Sequence, residues 1–473
     1  MPDIIKNSIF YNLLASIGGW FSEQFNDSRL IGRFLREGGF KVFSDSSIFT
    51  KIFNGIVSLF RKIFSALHLD RLFEGSIFKM PFLWCFLAMV FAPVLPTMGV
   101  VALALAGFLA LAIRLFTEKS FKLRYSPLNK YILIYALVYF VATLTSVTVK
   151  GSLFGAVLFI VFALFYFVVI NAVQTKTQLK VLTLCFMGFA VLVSFYGFYQ
   201  YMNPSKFSGS WIDTEMFSDI GFRVYATLGN PNVLGEYLLL TIPFGVSFFF
   251  TSKGILKKGF FFIVCAIQML CLILTYSRGC WLGIMFAAMV FLILLDRRCI
   301  LLVIVGLILL PFVLPQTIIN RFMSIGNMSD SSTSYRFYIY MGTLSMLKDY
   351  WMCGVGPGTN AFNMVYPSYA YDSITAPHSH NLYLQTMCDT GICGVIVFLG
   401  IIYRLYKTCA IGLKKTKDKK DKIFIMGAIA ALSGFFLQSF TDYTFYNYRV
   451  MFMFWCVAAL SVLYSDIDTL KED

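Results

Sequence analysis

Charge is scarce in this chain of 473 residues. Asp, Glu, Lys and Arg together make up 13% of it, against about 25% in soluble domains. The deficit excludes an ordinary water-soluble globule, because a large core does not strip charge from a surface. Histidine is scarcer still, with only His68, His378 and His380. A nucleotide-binding loop is missing: no glycine-rich phosphate loop or Walker pattern occurs, which argues against a soluble nucleotide donor. The eleven cysteines lie mostly inside apolar runs. None pairs at metal-ligand spacing in a polar context, so neither a zinc site nor a disulfide framework is indicated. No secretory leader is evident. The first apolar run long enough to insert begins near Met80, and this first helix is expected to target the chain itself.

What fills the chain instead is apolar: 58% hydrophobic residues, with 52 Phe and 26 Tyr, and a mean hydropathy of +0.75. A bilayer-spanning helix needs about 20 such residues in succession. Segments near 80–95, 97–116, 128–147, 152–171, 181–201, 233–251, 259–277, 280–295, 299–315, 382–403, 423–441 and 449–465 meet that description or approach it. The fold class expected is therefore all-α: a polytopic membrane protein with about twelve spans. Pro93 and Pro96 mark the turn between the first two.

Net charge is +15, which in a soluble chain would suggest nucleic acid. Here the basic residues fall in short segments between apolar runs, so no nucleic-acid partner is expected. With the N-terminus inside, the inner loops carry twenty Lys and Arg and the outer segments eight. The run at 414–422 alone supplies several of the inner ones. Positive residues concentrate on the cytoplasmic side of membranes, so both termini are expected there. Residues 1–79 stand apart as a basic, amphipathic segment, cytoplasmic or interfacial. From Ser46 to Phe73 apolar residues recur at helical spacing with Lys51, Arg61, Lys62 and Arg71 among them, as in a helix lying in the membrane surface. Membrane lipid is thus an expected partner. A transmembrane domain follows at 80–466, and 467–473 form a short cytoplasmic tail. Within the domain, one outer segment runs from about Met202 to Val233. A second, about 316–381, is rich in Tyr, Phe and Trp and is expected to be ordered and to hold short helices.

Three elements of the outer face could carry chemistry. His378 and His380 lie where the long outer segment re-enters the membrane. Imidazole is the side chain best suited to accept a proton near neutral pH. Two His two residues apart could also ligate a metal, but no third ligand is evident at useful spacing, so no metal and no cofactor is expected. Arg278, in TYSRGCWLG, stands at an outer helix end where positive-inside placement disfavours it, which points to an anionic ligand such as phosphate. Gly279 is expected to allow a tight reversal there. The stretch Tyr335–Lys348 reads as an outer helix with Arg336 near its start, Thr333 or Ser334 as its cap, and Gly354–Gly358 as a tight turn after it. A helix N-terminus with an Arg favours an anion.

His380–Asn381, followed after nine residues by Gly391-Ile392-Cys393-Gly394, resembles a motif of the O-antigen ligase family. Ser277-Arg278-Gly279, the Arg336 helix with its Gly354–Gly358 turn, and Gly229-Asn230-Pro231-Asn232 resemble further blocks of the O-antigen ligase and polymerase superfamily, over about residues 220–455. The resemblance implies a membrane glycosyltransferase without nucleotide or metal. Such an enzyme moves glycan from an undecaprenyl-diphosphate carrier to a hydroxyl on a glycan or lipid acceptor, at the extracytoplasmic face. Carried over, Arg278 and Arg336 would grip the diphosphate and His380 would activate the acceptor hydroxyl. His378, Asn381, Asp442, Arg449 and Glu236 would help bind substrate. A glycolipid transporter or flippase, and transfer of glycan to protein, are the alternatives. Ligase and polymerase are not distinguished.

Overall fold

The computed structural model describes residues 48–207, 220–313 and 315–472, together with Ser16. The expectations for residues 1–47 otherwise lie outside these, as does the middle of the outer segment at 202–233. The chain divides into two compact units, Met1–Glu74 with Arg114–Lys122, and Gly75–Ile113 with Leu123–Asp473.

In the first unit, helix α1 (Ile48–Ala66) precedes a short α2 (Leu69–Leu72). The α1 helix is the one expected from the Ser46–Phe73 pattern. Ile52, Phe53, Ile56, Leu59 and Ile63 are exposed along it. Phe60 stacks on Phe116 at 5.0 Å between ring centroids, and Arg61 Nε donates to the Leu115 carbonyl at 3.1 Å.

The helices expected as spans follow. In chain order they are α3 (Pro81–Phe91), α4 (Thr97–Thr117), α5 (Asn129–Leu144), α6 (Val149–Ala172), α7 (Lys176–Met202), α8 (Pro231–Thr251), α9 (Ile255–Leu274), α10 (Arg278–Leu295) and α11 (Cys299–Val313). Then come α12 (Gln316–Met323), α13 (Ser331–Tyr350) and α14 (Thr359–Val365), in the segment expected outside. The last spans are α15 (Leu382–Lys415), α16 (Lys419–Gln438) and α17 (Tyr448–Ser465). Each expected span finds a helix, and the described residues hold no named strand. Among them, nine helices are long and apolar enough to cross a membrane. The α3 helix is shorter than its run. It ends at Phe91 because Pro93 and Pro96 lack the amide hydrogen a continuing helix requires.

Helix α17 is the centre of the second unit: from Val450 to Ser465 every residue is buried. It packs against α6, α15 and α16, and α16 packs in turn against α8 and α10. The α10–α16 crossing is close because both helices are glycine at the contact. A Cβ on Gly283 would lie 2.8 Å from the Gly434 carbonyl, and one on Gly434 would lie 2.6 Å from the Gly283 carbonyl. Small residues allow such approach in apolar helix pairs, where water supplies no driving force.

The segment 316–381, expected at the outer face, has a core of its own. Ile339, Met346 and Leu347 of α13 pack with Val355, Phe362, Tyr366, Ala376 and Cys388. Two of the motif glycines lock it to α15. Gly391 interrupts that helix with φ 66 and ψ −166, and a side chain there would strike the Met352 carbonyl. Gly354, at φ 72, is closed in against the Cys388 carbonyl in the same way. The amides of Val355 and Ile392 then donate across the joint to Cys388 and Trp351 at 2.6 and 2.9 Å. Only glycine combines this backbone with this clearance. Gly391→Ala should therefore destabilise the protein by about 3 kcal/mol or more. The check is the melting temperature in detergent, which should fall by several degrees.

Candidate functional site

The N-terminal ends of α8, α10, α13 and α15 meet the turn between α16 and α17 at one end of the second unit. Each helix start carries a partial positive charge, and each contributes a side chain. Asn230 caps α8 by accepting from the Asn232 amide at 2.8 Å. Asn381 caps α15, accepting from the amides of Tyr383 and Leu384. The α13 helix is capped by Asp330, which accepts from the Thr333 amide at 3.0 Å, and not by Thr333 or Ser334. The helix begins four residues earlier than its apolar pattern suggests, and the carboxylate at its start is the stronger acceptor. Gly279 likewise makes no reversal. It lies inside α10, where a Cβ would collide with Gln438 and Thr441. The backbone turns instead at Tyr276, φ 50.

Four arginines line one cavity of about 390 Å3: Arg223, Arg278, Arg321 and Arg336. Arg278 extends both terminal nitrogens onto Asp330, at 2.9 and 2.8 Å, and also bonds Ser324 and Ser332. Arg321 approaches the same carboxylate at 3.4 Å. Burial would raise the Asp330 carboxyl, but the bonds from Arg278 and Ser332 and the charges of Arg278 and Arg321 outweigh it and hold the pKa at about 2. This contact is complete above the ordinary carboxylate range and is lost as pH falls toward 2, so acid should loosen this corner only below about pH 4. Arg223 donates to the Thr275 carbonyl at 2.8 Å and to Asn232 at 3.0 Å. Burial, with the charges of Arg321, Arg336 and Arg278, pulls its pKa down to about 9. The cluster is thus under like-charge repulsion. Arg336 donates to the Ser332 carbonyl, and its buried Nε makes no hydrogen bond.

A second cavity, of about 350 Å3, shares Arg223, Arg321 and Arg336 with the first and adds Glu236, His378, His380 and Asp442. His380 Nδ1 lies 3.1 Å from Asp442 Oδ1. A carboxylate accepts only, so Nδ1 carries the hydrogen and Nε2 is left as the basic nitrogen. Asp442 also accepts from Asn232 at 2.8 Å and from the Tyr443 amide at 2.9 Å, and it lies 4.0 Å from Arg336. Burial opposes its ionisation. The His380 hydrogen bond and the charge of Arg336 prevail and hold the carboxyl well below its usual range. His380 itself sits at φ 51, unusual outside glycine. Its amide donates to His378 Nδ1 at 3.2 Å and its carbonyl accepts from Tyr340 at 3.0 Å, bonds that hold the conformation. His378 is pulled down to about 3, mainly by burial and then by the charge of His380, and so stays neutral.

Asp442 provides, in space, the third ligand that no sequence spacing revealed. The donor atoms of His378, His380 and Asp442 lie within 4.8 Å of one another. A cation there would face the three guanidinium groups that share this cavity, and Asp442 already accepts from Asn232, so the surroundings oppose one.

The structure therefore gathers Arg278, Arg336, His378, His380, Asp442 and Glu236 around two adjoining cavities, with Asn381 beneath as a helix cap. Arg449 lies apart from them. Its guanidinium donates to the carbonyls of Pro93, Leu95, Thr227 and Leu228 at 3.2–3.4 Å, and it borders a different cavity. Sequence reasoning passed over Arg223, Arg321 and Asp330, and placed Asn232 in a motif without giving it a role. The first two carried a readable signal: both are arginines on the expected outer side, the same anomaly that singled out Arg278.

Residues 238–399 match the sequence model of the family described as O-Antigen ligase. No curated protein matches the chain significantly. The match takes in Arg278, Arg336, His378, His380 and Asn381. It is narrower than the resemblance at about 220–455, leaving Asn230, Glu236 and Asp442 outside. The match supports a role in cell-surface polysaccharide assembly, as a ligase or polymerase acting on a lipid-linked glycan and an acceptor.

An oxyanion should relieve the repulsion within the arginine cluster. Inorganic diphosphate is expected to raise the melting temperature of the purified protein, and Arg336→Ala should weaken that stabilisation at least about tenfold in ligand concentration. Differential scanning fluorimetry in detergent measures both.

Proposed function

We propose that the protein transfers or polymerises glycan from an undecaprenyl-diphosphate carrier onto an acceptor hydroxyl at the extracytoplasmic face of the membrane. The observation that carries this reading is the His380–Asp442 pair opening onto the arginine-lined cavity. In the reaction, Nε2 of neutral His380 takes the proton of the acceptor hydroxyl while that oxygen forms a bond to the anomeric carbon. The bond from that carbon to the diphosphate oxygen breaks, and the diphosphate departs with the electron pair. Asp442 holds the imidazole in the tautomer that leaves Nε2 basic and stabilises the imidazolium that forms. Arg336, Arg278, Arg223 and Arg321 offset the growing charge on the leaving diphosphate, so no strong acid is needed. This chemistry requires no metal. The counter-charge of Asp330 keeps Arg278 extended across the cavity floor before substrate arrives.

The side of the membrane follows from the loop charges: twenty basic residues on one side against eight on the other. Both termini then face the cytoplasm, and the site faces outward. Membrane-impermeant labelling of Arg278→Cys in intact cells should modify that position.

In lipid nanodiscs, the protein incubated with lipid-diphosphate-linked glycan should release the carrier diphosphate, with EDTA leaving the rate unchanged. His380→Ala should lower kcat by about two orders of magnitude or more, and Asp442→Asn by a similar factor. Full activity in His380→Ala would remove the assigned base. Burial keeps His378 neutral across the neutral pH range, so His378→Gln should leave the shape of the pH–rate profile there unaltered. A ladder of products from one repeat unit would identify a polymerase, and a single transfer to a separate acceptor a ligase.

A further inference from the structure

A third cavity, of about 660 Å3, opens at the same end of the second unit. Its walls include Tyr443, Tyr446 and Tyr448, with Asn447, Thr97 and Thr359 between them. Tyr443 and Tyr446 also line the cavity that holds His378, His380 and Asp442. The ring of Tyr446 lies 4.4 Å from that of His378, and that of His378 lies 4.2 Å from that of His380. The three cavities thus form a series: arginines first, then the His380–Asp442 pair, then the aromatic chamber.

The chamber differs from the first cavity in chemistry. The cation at its edge, Arg449, directs its terminal nitrogens to four backbone carbonyls, so the chamber offers an anion far less than the arginine cluster does. Aromatic faces remain, with hydroxyl and amide groups between them. That combination suits a neutral, hydroxyl-rich ring, whose C–H face covers an aromatic side chain while its hydroxyls find polar partners. It suits neither a phosphate, which wants cations, nor an acyl chain, which has no use for the polar groups.

The series also meets a stereochemical demand. In a displacement at an anomeric carbon, the attacking oxygen and the leaving oxygen lie on opposite sides of that carbon. With the diphosphate among the arginines, the attacking hydroxyl arrives from beyond His380, which is where the chamber lies. We infer that this chamber, walled by Tyr443, Tyr446 and Tyr448, is the seat of the acceptor glycan. The inference rests on the transferase reading above and adds the place and chemistry of the second substrate.

The test uses the full-length protein in nanodiscs. The probe is a set of fluorescently labelled oligosaccharides released by mild acid from the host's own surface polysaccharide. Binding is read by fluorescence anisotropy. Tyr446→Ala removes a wall, and Thr97→Trp fills the chamber from a different element. Each should weaken oligosaccharide binding about tenfold or more, while inorganic diphosphate still raises the melting temperature of both variants as it does the parent's. In the transfer assay, their KM for acceptor should rise with the KM for lipid-linked donor unchanged. Arg336→Ala should do the reverse: bind the oligosaccharides and lose the response to diphosphate. No binding by the parent protein, undiminished binding in both chamber variants, or loss of binding in Arg336→Ala would each overturn the assignment. Binding that follows the chamber variants, in a protein that never turns over the lipid-linked glycan, would uphold the chamber and refute the transferase reading instead.

Discussion

Four guanidinium groups drawn from three parts of the chain crowd one half-buried cavity, and two carboxylates partly offset them. Positive charges taken out of water at close range repel one another, and the cost falls on folding unless counter-charge is built in. Asp330 meets Arg278 and Arg321, and Asp442 meets Arg336 and His380. Neither carboxylate could be removed without leaving arginines unbalanced, and both together leave positive charge in excess. That excess makes the cavity attractive to an oxyanion. The same requirement explains why Asp330 caps α13: one carboxylate serves the helix end, the Arg278 fork and Arg321 at once.

The scaffold holds this charge in place by close backbone contact rather than by more polar bonds. Gly283 against Gly434 brings α10, and with it Arg278, onto α16, next to the turn that carries Asp442. Gly354 and Gly391 seat the outer segment on α15, which fixes Arg336 relative to His380. The unusual backbone at Tyr276 and His380 lies immediately before and at these functional positions. The neighbouring bonds from Tyr340 and to His378 meet the cost of holding His380 there.

Much of this was legible in the chain itself. Long uncharged runs located the helices, because a backbone in lipid must satisfy its own hydrogen bonds and a helix is the local way to do so. Outer-face arginine drew attention to Arg278, and paired imidazoles to His380. The same arginine rule, applied evenly, would have found Arg223 and Arg321. Other features were not legible. Asp330 is one acidic residue in a Ser-rich stretch, and nothing local marks it as the partner of Arg278. Arg449 had the same credentials as Arg336, yet its guanidinium is taken up by four carbonyls.

The sequence by itself determined the class of molecule, the positions of its helices and the family that its central part resembles, because each depends on properties summed over neighbouring residues. The tertiary structure alone decided which charges meet. Asp442 lies 62 positions from His380 and Asn232 lies 210 from Asp442. Pairings at such separations depend on how helices cross, a choice governed by packing at glycines far from the site. The order of the three cavities, arginines to imidazole to aromatic chamber, has the same origin. It exists only where four helix ends and one turn converge.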